Sequence, residues 1–187
     1  MFSEQTLITA LWVCFTVYWL VAARGAKRTV SSGTGPSTVL RSVLAVTVVA
    51  VVTERSVRLP TIHEPAALSA SLGVVGVALC VIGIAFAIWA RTHIGRNWGM
   101  PGSVKADAEL VTTGPYALVR HPIYTGVLLA MLGSALAQGN PWTILLAAFS
   151  AYFLYNARVE ERTMAREFPD EDGRYRARTK MLVPYLV

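Results

Sequence analysis

The chain has 187 residues, of which 54% are hydrophobic and only 15% are charged. Soluble domains carry about 25% charged residues, and here the apolar residues cluster into long blocks, so the composition excludes an ordinary soluble domain and predicts a protein that crosses the membrane several times. The net charge is +6, and the basic residues that cause it lie beside those blocks. This placement is typical of membrane topology signals and argues against a nucleic-acid partner.

Three apolar blocks occupy residues 1–90, which are predicted to form three N-terminal transmembrane helices with short loops. The first block, residues 7–23, has no Lys or Arg ahead of it, so it is predicted to be a retained span and not a secretory signal. The second block, residues 39–52, is short and rich in valine. The third block, residues 66–90, is long enough to span the membrane with some tilt.

Residues 91–187 are predicted to form a second region, with a polar loop, a helical hairpin over residues 122–157 and a polar tail. The hairpin consists of two apolar segments, residues 123–137 and 142–157, joined by the turn sequence QGNP. Each segment is slightly short for a full crossing of about 30 Å. Pro122 suits the first turn of the leading helix, where its missing N–H costs nothing.

The distribution of basic residues predicts the orientation of these segments. Positive charge concentrates in the loop before the second block, in residues 91–120 and in the tail, whereas the loop after the second block holds two arginines offset by two glutamates. Cytoplasmic loops of membrane proteins are enriched in Lys and Arg. We therefore predict an all-α integral membrane protein with about five transmembrane helices, an outside N-terminus, and a loop and tail that are both cytoplasmic.

The stretch GPYALVRHPIYTG, residues 114–126, places turn-forming residues and a basic pair directly before an apolar run. Arg120 and His121 are either positive anchors at the end of a span or a cationic clamp for a carboxylate, with His121 as a hydrogen-bond donor. Tyr116 and Tyr124 are either ordinary interface aromatics or rings that stack on an adenine or face a sulfonium cation. The residues alone leave both alternatives open.

Two adjacent carboxylates, Glu160 and Glu161, follow the last apolar block. So near the membrane they are costly unless they are paired or functional, and Arg158 and Arg162 offer ion pairs along the helix. The three histidines of the chain lack the spacing of a metal site, and the two cysteines lie in apolar blocks. The sequence therefore predicts neither a metal site nor a disulfide.

The segment GRNWGMPGSVKADAELVTTGPYALVRHPIYTG, followed by EERTMAREFP and YRARTKMLVP, resembles the isoprenylcysteine carboxyl methyltransferase family. Its wider relatives are the phospholipid methyltransferase-like membrane methyltransferases. The resemblance covers about residues 91–187. It implies a helical membrane enzyme that binds S-adenosylmethionine at a cytoplasmic loop and tail, with the C-terminal segment closing the pocket. It also implies a lipophilic acceptor, a small molecule or a lipid, that arrives laterally from the bilayer.

The resemblance also implies a set of site residues, matched position by position. Glu160 matches a family glutamate at the methyl-transfer site, and Arg178 matches a basic residue that helps to close the site. The expected catalytic residues are Glu160, Asn156 and Arg178. The expected cofactor-binding residues are Glu109, Leu110, Val111, Tyr116, Arg120, His121, Pro122, Tyr124 and Glu161.

The chain departs from the family pattern at three positions. Ala108 stands where relatives commonly carry His, and Asn156 stands where the eukaryotic enzymes place an Arg suited to a substrate carboxylate. Asp172 stands at the first Tyr of the usual FGxxYxxY pattern. The cofactor positions are largely retained, whereas these differences argue against a prenylcysteine carboxylate as the acceptor.

We therefore predict S-adenosylmethionine-dependent methyl transfer in a bacterial inner membrane, by O-methylation of a carboxylate or N-methylation of an amine. For an amine, Glu160 is the candidate base; for a carboxylate, Asn156, Arg158 or Arg178 is the orienting partner. One alternative is an NADPH-dependent reductase related to sterol reductases, which share an Arg-His-x-x-Tyr-x-Gly element, and another is a non-catalytic scaffold. The short chain and the Glu-Glu and RTxxLxP elements argue against the reductase. The oligomeric state is not predicted.

Overall fold

The computed structural model describes residues 3–24, 29–31, 66–99, 104–105 and 109–183. This part of the chain is helical apart from two short strands, which confirms the predicted all-α class. The predicted second span, at residues 39–52, lies outside the described residues. The described helices are α1 (Glu4–Ala23), α2 (Ala66–Ile94), α3 (Pro122–Gln138), α4 (Asn140–Glu167) and α5 (Pro169–Arg178), with 3-10 turns at Gly95–Asn97 and Gly114–Ala117.

Two helical stretches, Glu4–Ala23 and Ala70–Asn97, are long and apolar enough to cross a membrane. They match the first and third predicted blocks. α3 is also apolar, but its 17 residues make it about 25 Å long at a rise of 1.5 Å per residue, which is shorter than a hydrocarbon core of about 30 Å. The total of five spans therefore stays a prediction.

α1 and α2 run parallel to each other. Near their starts, the Glu4 side chain lies against Gly73. Near their ends, Arg91 Nη2 donates to Ala22 O at 2.6 Å, and the Arg91 guanidinium lies 4.7 Å from the ring centroid of Trp98. Carbonyl groups in the last turn of a helix have no partner within the helix, so the buried Arg91 satisfies one at the end of α1. The loops that follow α1 and α2 consequently start on the same side.

The same two loops are joined by β1 (Thr29–Ser31) and β2 (Val104–Lys105), which pair antiparallel with Thr29 opposite Lys105. Strands of three and two residues are too short to show the alternating pattern that predicts a strand. The sequence pattern therefore predicts loops for both segments. Their pairing agrees with the predicted placement of both loops on one face of the membrane.

α2 and α3 pack antiparallel through small residues. A Cβ atom added at Gly126 of α3 would lie 2.6 Å from both Ala87 N and Gly83 O of α2, and one added at Gly133 would lie 2.5 Å from Cys80 N. Backbones that approach this closely gain van der Waals contact along the helices, a common mode of packing in membranes. The contact fixes the start of α3 beside the end of α2.

α3 and α4 form an antiparallel hairpin over the residues where one is predicted, with Pro122 as its first residue and Gly139 alone between the helices. Gly139 has a φ of 80°, a conformation that other residues rarely adopt, so this turn favours glycine. At the opposite end of the hairpin, Tyr124 stacks on Phe153 with 4.5 Å between ring centroids. α4 continues beyond residue 157 to Glu167, so the first part of the polar tail is helical.

α1 packs against this hairpin through Trp12. The Trp12 ring stacks on Trp142, with 5.5 Å between ring centroids, and Trp12 Nε1 donates to Ser134 Oγ at 3.0 Å. Ser134 is buried and donates in turn to Ala130 O at 2.9 Å. The buried polar atoms of this contact therefore have hydrogen-bond partners.

We expect Gly126→Val to destabilise the protein, because the added side chain would collide with backbone atoms of α2. Overpacking of a tight contact costs about 1–3 kcal/mol, and here rigid backbone must move. The measurement is the thermal unfolding midpoint of the detergent-purified protein.

The matched control is Gly173→Ala in α5, where an added Cβ meets nothing within 4 Å. That change should leave the midpoint unchanged or raise it slightly, since alanine is the better helix former. Equal midpoints for Gly126→Val and the wild type would contradict the close packing of α2 and α3.

Candidate active site

The end of the described chain lies along the segment that leads into α3. Its hydrogen bonds run from Arg120 N to Lys180 O (2.8 Å), from His121 N to Met181 O (3.0 Å) and from Thr125 Oγ1 to Leu182 O (2.6 Å). Backbone N–H groups at a helix start otherwise lack partners within the helix. Residues 179–182 are therefore fixed across the entrance of α3, and we call them the C-terminal strap.

Glu160 and Glu161 of α4 meet His121 beneath this strap. His121 Nδ1 lies 3.2 Å from Glu160 Oε2, within hydrogen-bonding range, whereas His121 Nε2 lies 3.6 Å from Glu161 Oε1, which is too long for a hydrogen bond. Nε2 is buried and has no hydrogen-bond partner among the described residues. Glu160 also accepts a hydrogen bond from Tyr124 OH. The imidazole is thus bracketed by two carboxylates, with one ring nitrogen available to a ligand.

Glu161 is the centre of an ion-pair network. Arg120 Nε lies 2.7 Å from Glu161 Oε1, and Arg176 Nη1 lies 3.3 Å from Glu161 Oε2. Arg176 Nε lies 2.6 Å from Asp172 Oδ2, and Arg120 also donates to Thr179 O in the strap. These contacts join the entrance of α3, α4, α5 and the strap at one carboxylate.

Arg176 is not among the residues predicted from the sequence, and Asp172 is noted there only as a departure from the family pattern. Asp172 is 5% exposed, and its pairing with Arg176 spans one turn of α5. Opposite charges at this i,i+4 spacing are the signal that could have found the pair. The alternative ion pairs with Arg158 and Arg162 are not formed among the described residues, because both arginines are exposed on the other side of α4.

A stack of aromatic rings adjoins the carboxylates. The His121 and Tyr124 rings are stacked and nearly parallel, with 5.5 Å between their centroids and 6° between their planes. Tyr124 stacks in turn on Phe153. Asn156 is 7% exposed and lies between Phe153 and Glu160 on the same face of α4, by the helical period. This face of α4 therefore offers ring surfaces, an amide and a carboxylate side by side.

The protonation of the site follows from these contacts. Burial by itself would lower the pKa of His121, but the Glu160 and Glu161 carboxylates outweigh it and raise the pKa above its usual value. Burial would raise the pKa of Glu161, but the nearby His121 imidazole and the charge and hydrogen bond of Arg120 outweigh it and hold that pKa at about 2. At neutral pH Glu161 is therefore ionised, and protonation of His121 is favoured.

Tyr116 lies in the 3-10 turn that precedes this entrance. Its carbonyl oxygen accepts a hydrogen bond from Tyr175 OH at 2.6 Å, and its ring lies 6.4 Å from the His93 ring. Burial, and then the charge of Glu160, raises the pKa of Tyr116. Its hydroxyl therefore stays protonated at neutral pH.

The other predicted site residues lie around this centre. Leu110 and Val111 are half-buried in the segment that leads to the Tyr116 turn, and Glu109 is exposed and accepts a hydrogen bond from Asn97 Nδ2 at 3.4 Å. Arg178 is exposed at the end of α5, where it lines a shallow surface groove. The roles of these residues stay predictions. Among the residues that the structure describes, no three His, Cys, Asp or Glu side chains are grouped as metal ligands.

We expect Glu161→Gln to lower the thermal unfolding midpoint at pH 7, because Arg120 loses its buried counter-charge. Breaking one partner of a buried ion pair costs roughly 3–5 kcal/mol. Since the folded pKa of Glu161 is about 2 against an ordinary 4.5, its contribution is fully present above pH 4.5 and is lost as the pH falls towards 2. The difference between wild type and variant should therefore shrink on acidification.

The control for this measurement is Glu167→Gln, which removes an exposed glutamate from the same helix. Its midpoint should follow that of the wild type at every pH. A difference between wild type and Glu161→Gln that stays constant between neutral and acidic pH would show that the ionised carboxylate does not provide the stabilisation.

The amino-acid sequence is similar to one protein family and to several characterised proteins. It matches the family described as phospholipid methyltransferase over residues 72–171. The cobalt-zinc-cadmium resistance protein CzcN of Cupriavidus metallidurans is 36% identical over 118 residues, which cover 62% of this chain and 49% of that protein. The nickel-cobalt-cadmium resistance protein NccN of Alcaligenes xylosoxydans xylosoxydans is 30% identical over 148 residues, covering 78% and 63%.

The protein-S-isoprenylcysteine O-methyltransferase of Schizosaccharomyces pombe is 33% identical over 82 residues, which cover 43% of this chain and 35% of that enzyme. The chain thus spans less than two thirds of the length of each of these relatives. The family match, in contrast, covers more than half of the 187 residues and includes most of α2, the entrance of α3, and Glu160 and Glu161 of α4. The chain belongs to the phospholipid methyltransferase family, whose relatives include the isoprenylcysteine methyltransferases that its sequence resembles.

Proposed function

We propose that the protein transfers the methyl group of S-adenosylmethionine to a lipophilic acceptor at the membrane, leaving S-adenosylhomocysteine. The observation that carries this proposal is the meeting of Glu160 and Glu161 with His121, at the entrance of an apolar helix and beneath the C-terminal strap. Membership of a methyltransferase family supports methyl transfer over the reductase and scaffold alternatives.

The residues around His121 fit the chemical groups of this cofactor. The buried His121 Nε2 has no hydrogen-bond partner in the described structure, so a polar group of a ligand can bond there. The Tyr116 ring and the aromatic stack of His121, Tyr124 and Phe153 suit contact with an adenine or a sulfonium cation, and Leu110 and Val111 suit its apolar edges. When bound, S-adenosylmethionine supplies a methyl group already activated on sulfur, so the protein's main task is to align the reacting groups.

The ion pairs of the site bear on the charge of the acceptor. Arg120 and Arg176 are both engaged with Glu161, so neither guanidinium is free to receive an acceptor carboxylate. Glu160 has no arginine within ion-pair distance among the described residues, and its side chain is 25% exposed. This favours an amine acceptor, which arrives protonated and whose proton Glu160 would take. O-methylation of a carboxylate would instead rely on Asn156 as an orienting donor.

We further propose that the protein lies in a bacterial inner membrane with five spans, an outside N-terminus and a cytoplasmic active site. The parallel arrangement of α1 and α2 supports this topology. If both helices cross the membrane, the chain between them must cross back once, which agrees with the predicted span at residues 39–52. The excess of Lys and Arg in the loops that follow α1 and α2 favours the cytoplasmic side for both loops. A lipophilic acceptor would then reach Glu160 from the bilayer.

We expect S-adenosylhomocysteine to bind the detergent-purified wild type with micromolar affinity in isothermal titration calorimetry, and His121→Ala and Tyr124→Ala to abolish this binding. His121 Nε2 has no hydrogen-bond partner among the described residues, and Tyr124 belongs to the aromatic stack beside it. Tyr155→Ala is the matched control, since Tyr155 is 67% exposed on the outer face of α4, and it should bind as the wild type does. A folded wild type that does not bind would refute the proposed cofactor.

We expect Glu160→Gln to lower methyl transfer by about 100-fold or more, the usual contribution of a general base. The affinity for S-adenosylhomocysteine should stay nearly unchanged, because the neutral amide can still accept from Tyr124. Transfer is measured as incorporation of radiolabelled methyl into lipid-extractable material of reconstituted membranes. Glu167→Gln is the control, and joint loss of binding and transfer in Glu160→Gln would reject the role in methyl transfer.

A further inference from the structure

The cytoplasmic part of α4 has two different faces. Glu160 and Glu161 turn inward, towards His121. Arg158, Arg162 and Arg166 are exposed on the opposite side of the helix. Since positions four residues apart are separated by about 6 Å along a helix axis, the three guanidinium groups form a column, which we call the arginine ladder.

The residues that precede the ladder on the same face of α4 are exposed and apolar or aromatic. Ile144 is 63% exposed and Tyr155 is 67% exposed, and Ala148 and Ala151 between them are exposed as well. Aliphatic side chains suit the hydrocarbon core of a bilayer, tyrosine suits the interface and arginine suits the headgroup region. The order of side chains along this face therefore places the ladder at the depth of the lipid headgroups.

The ladder has unbalanced positive charge. Two carboxylates of the same helix are engaged elsewhere, Glu161 with Arg120 and Arg176 and Glu160 with His121. Glu167, which follows Arg166, is exposed and offsets at most one of the three positive charges. In the ranges of the chain that the structure describes, no ladder arginine takes part in an ion pair. Guanidinium groups bind phosphate oxygens through two parallel hydrogen bonds, so the complementary partner at this depth is the phosphate of a lipid with net negative charge.

We propose that the arginine ladder binds the headgroups of anionic phospholipids in the cytoplasmic leaflet. The bound lipids hold the end of α4, and with it Glu160 and Glu161 on the other face, at a fixed depth in the membrane. This role differs from that of a topology signal, which acts while the chain inserts and does not distinguish lipids in the folded protein. It rests on the proposed membrane orientation and does not depend on the proposed methyl transfer.

The test uses the full chain in nonionic detergent micelles, with the thermal unfolding midpoint recorded as dioleoylphosphatidylglycerol or dioleoylphosphatidylcholine is added. We expect the anionic lipid to raise the midpoint saturably and the zwitterionic lipid to have little effect. An increase in NaCl from about 0.1 M to about 1 M should weaken the response, since the screening length falls from about 10 Å to about 3 Å.

Variants assign the response to the ladder. The combined change Arg158→Gln, Arg162→Gln and Arg166→Gln should weaken the apparent affinity for phosphatidylglycerol about 100-fold, at about fivefold per arginine, or about 1 kcal/mol for each basic residue near an anionic surface. The same three positions changed to Lys should retain most of the affinity. Arg174→Gln removes an exposed cation of α5 outside the ladder and should leave the affinity unchanged.

The proposal is overturned if both lipids shift the wild-type midpoint equally, if the triple Gln variant responds as the wild type does, or if Arg174→Gln weakens the response as much as one ladder change. If the triple Gln variant does not fold, the single change Arg162→Gln at the middle of the ladder takes its place. It should weaken the affinity for phosphatidylglycerol about fivefold, and an unchanged affinity would overturn the proposal.

Discussion

The ionised carboxylate of Glu161 is the point on which the candidate site depends. It accepts contacts from Arg120, ahead of α3, and from Arg176 of α5, while Arg120 also bonds the C-terminal strap. A buried anion such as Glu161 is stable only while its arginine partners keep their places, because without them it would be a buried, unpaired charge. One local charge balance thereby orders segments that are far apart in the sequence, and it sets the position of His121.

The rest of the fold brings those segments within reach of each other. Small residues let α3 approach α2 closely, and the single-residue turn at Gly139 returns α4 along α3. The start of α3 and the polar end of α4 therefore meet at one end of the hairpin. In the proposed function, this is the end at which the lipophilic acceptor and the cofactor meet. The two sides of α4 differ accordingly, with Glu160 and Glu161 towards His121 and the three ladder arginines exposed.

Composition and pattern determined much of the architecture. Apolar blocks of helical length predicted α1, α2 and the hairpin, because a chain that buries its backbone polar groups in a membrane has few alternatives to the helix. The ordered motif around Arg120, His121 and Tyr124, with the later Glu160 and Glu161, predicted which residues share a site. That prediction came from a family resemblance, since the residue types alone left topological anchors and simple ion pairs equally open.

Only the tertiary structure decided which charges pair. Sequence spacing offered Glu160 and Glu161 the neighbours Arg158 and Arg162, but the helix turns the carboxylates inward, where His121, Arg120 and Arg176 are nearer. From the sequence, Asp172 is only a replacement of the tyrosine that relatives carry at this position. The structure shows that Asp172 is buried and pairs with Arg176. The pairing of β1 with β2 could not be predicted either, because both strands are short and lie far apart in the sequence. Local periodicity reports which side of an element is apolar, whereas long-range charge pairing depends on which distant segment occupies that side.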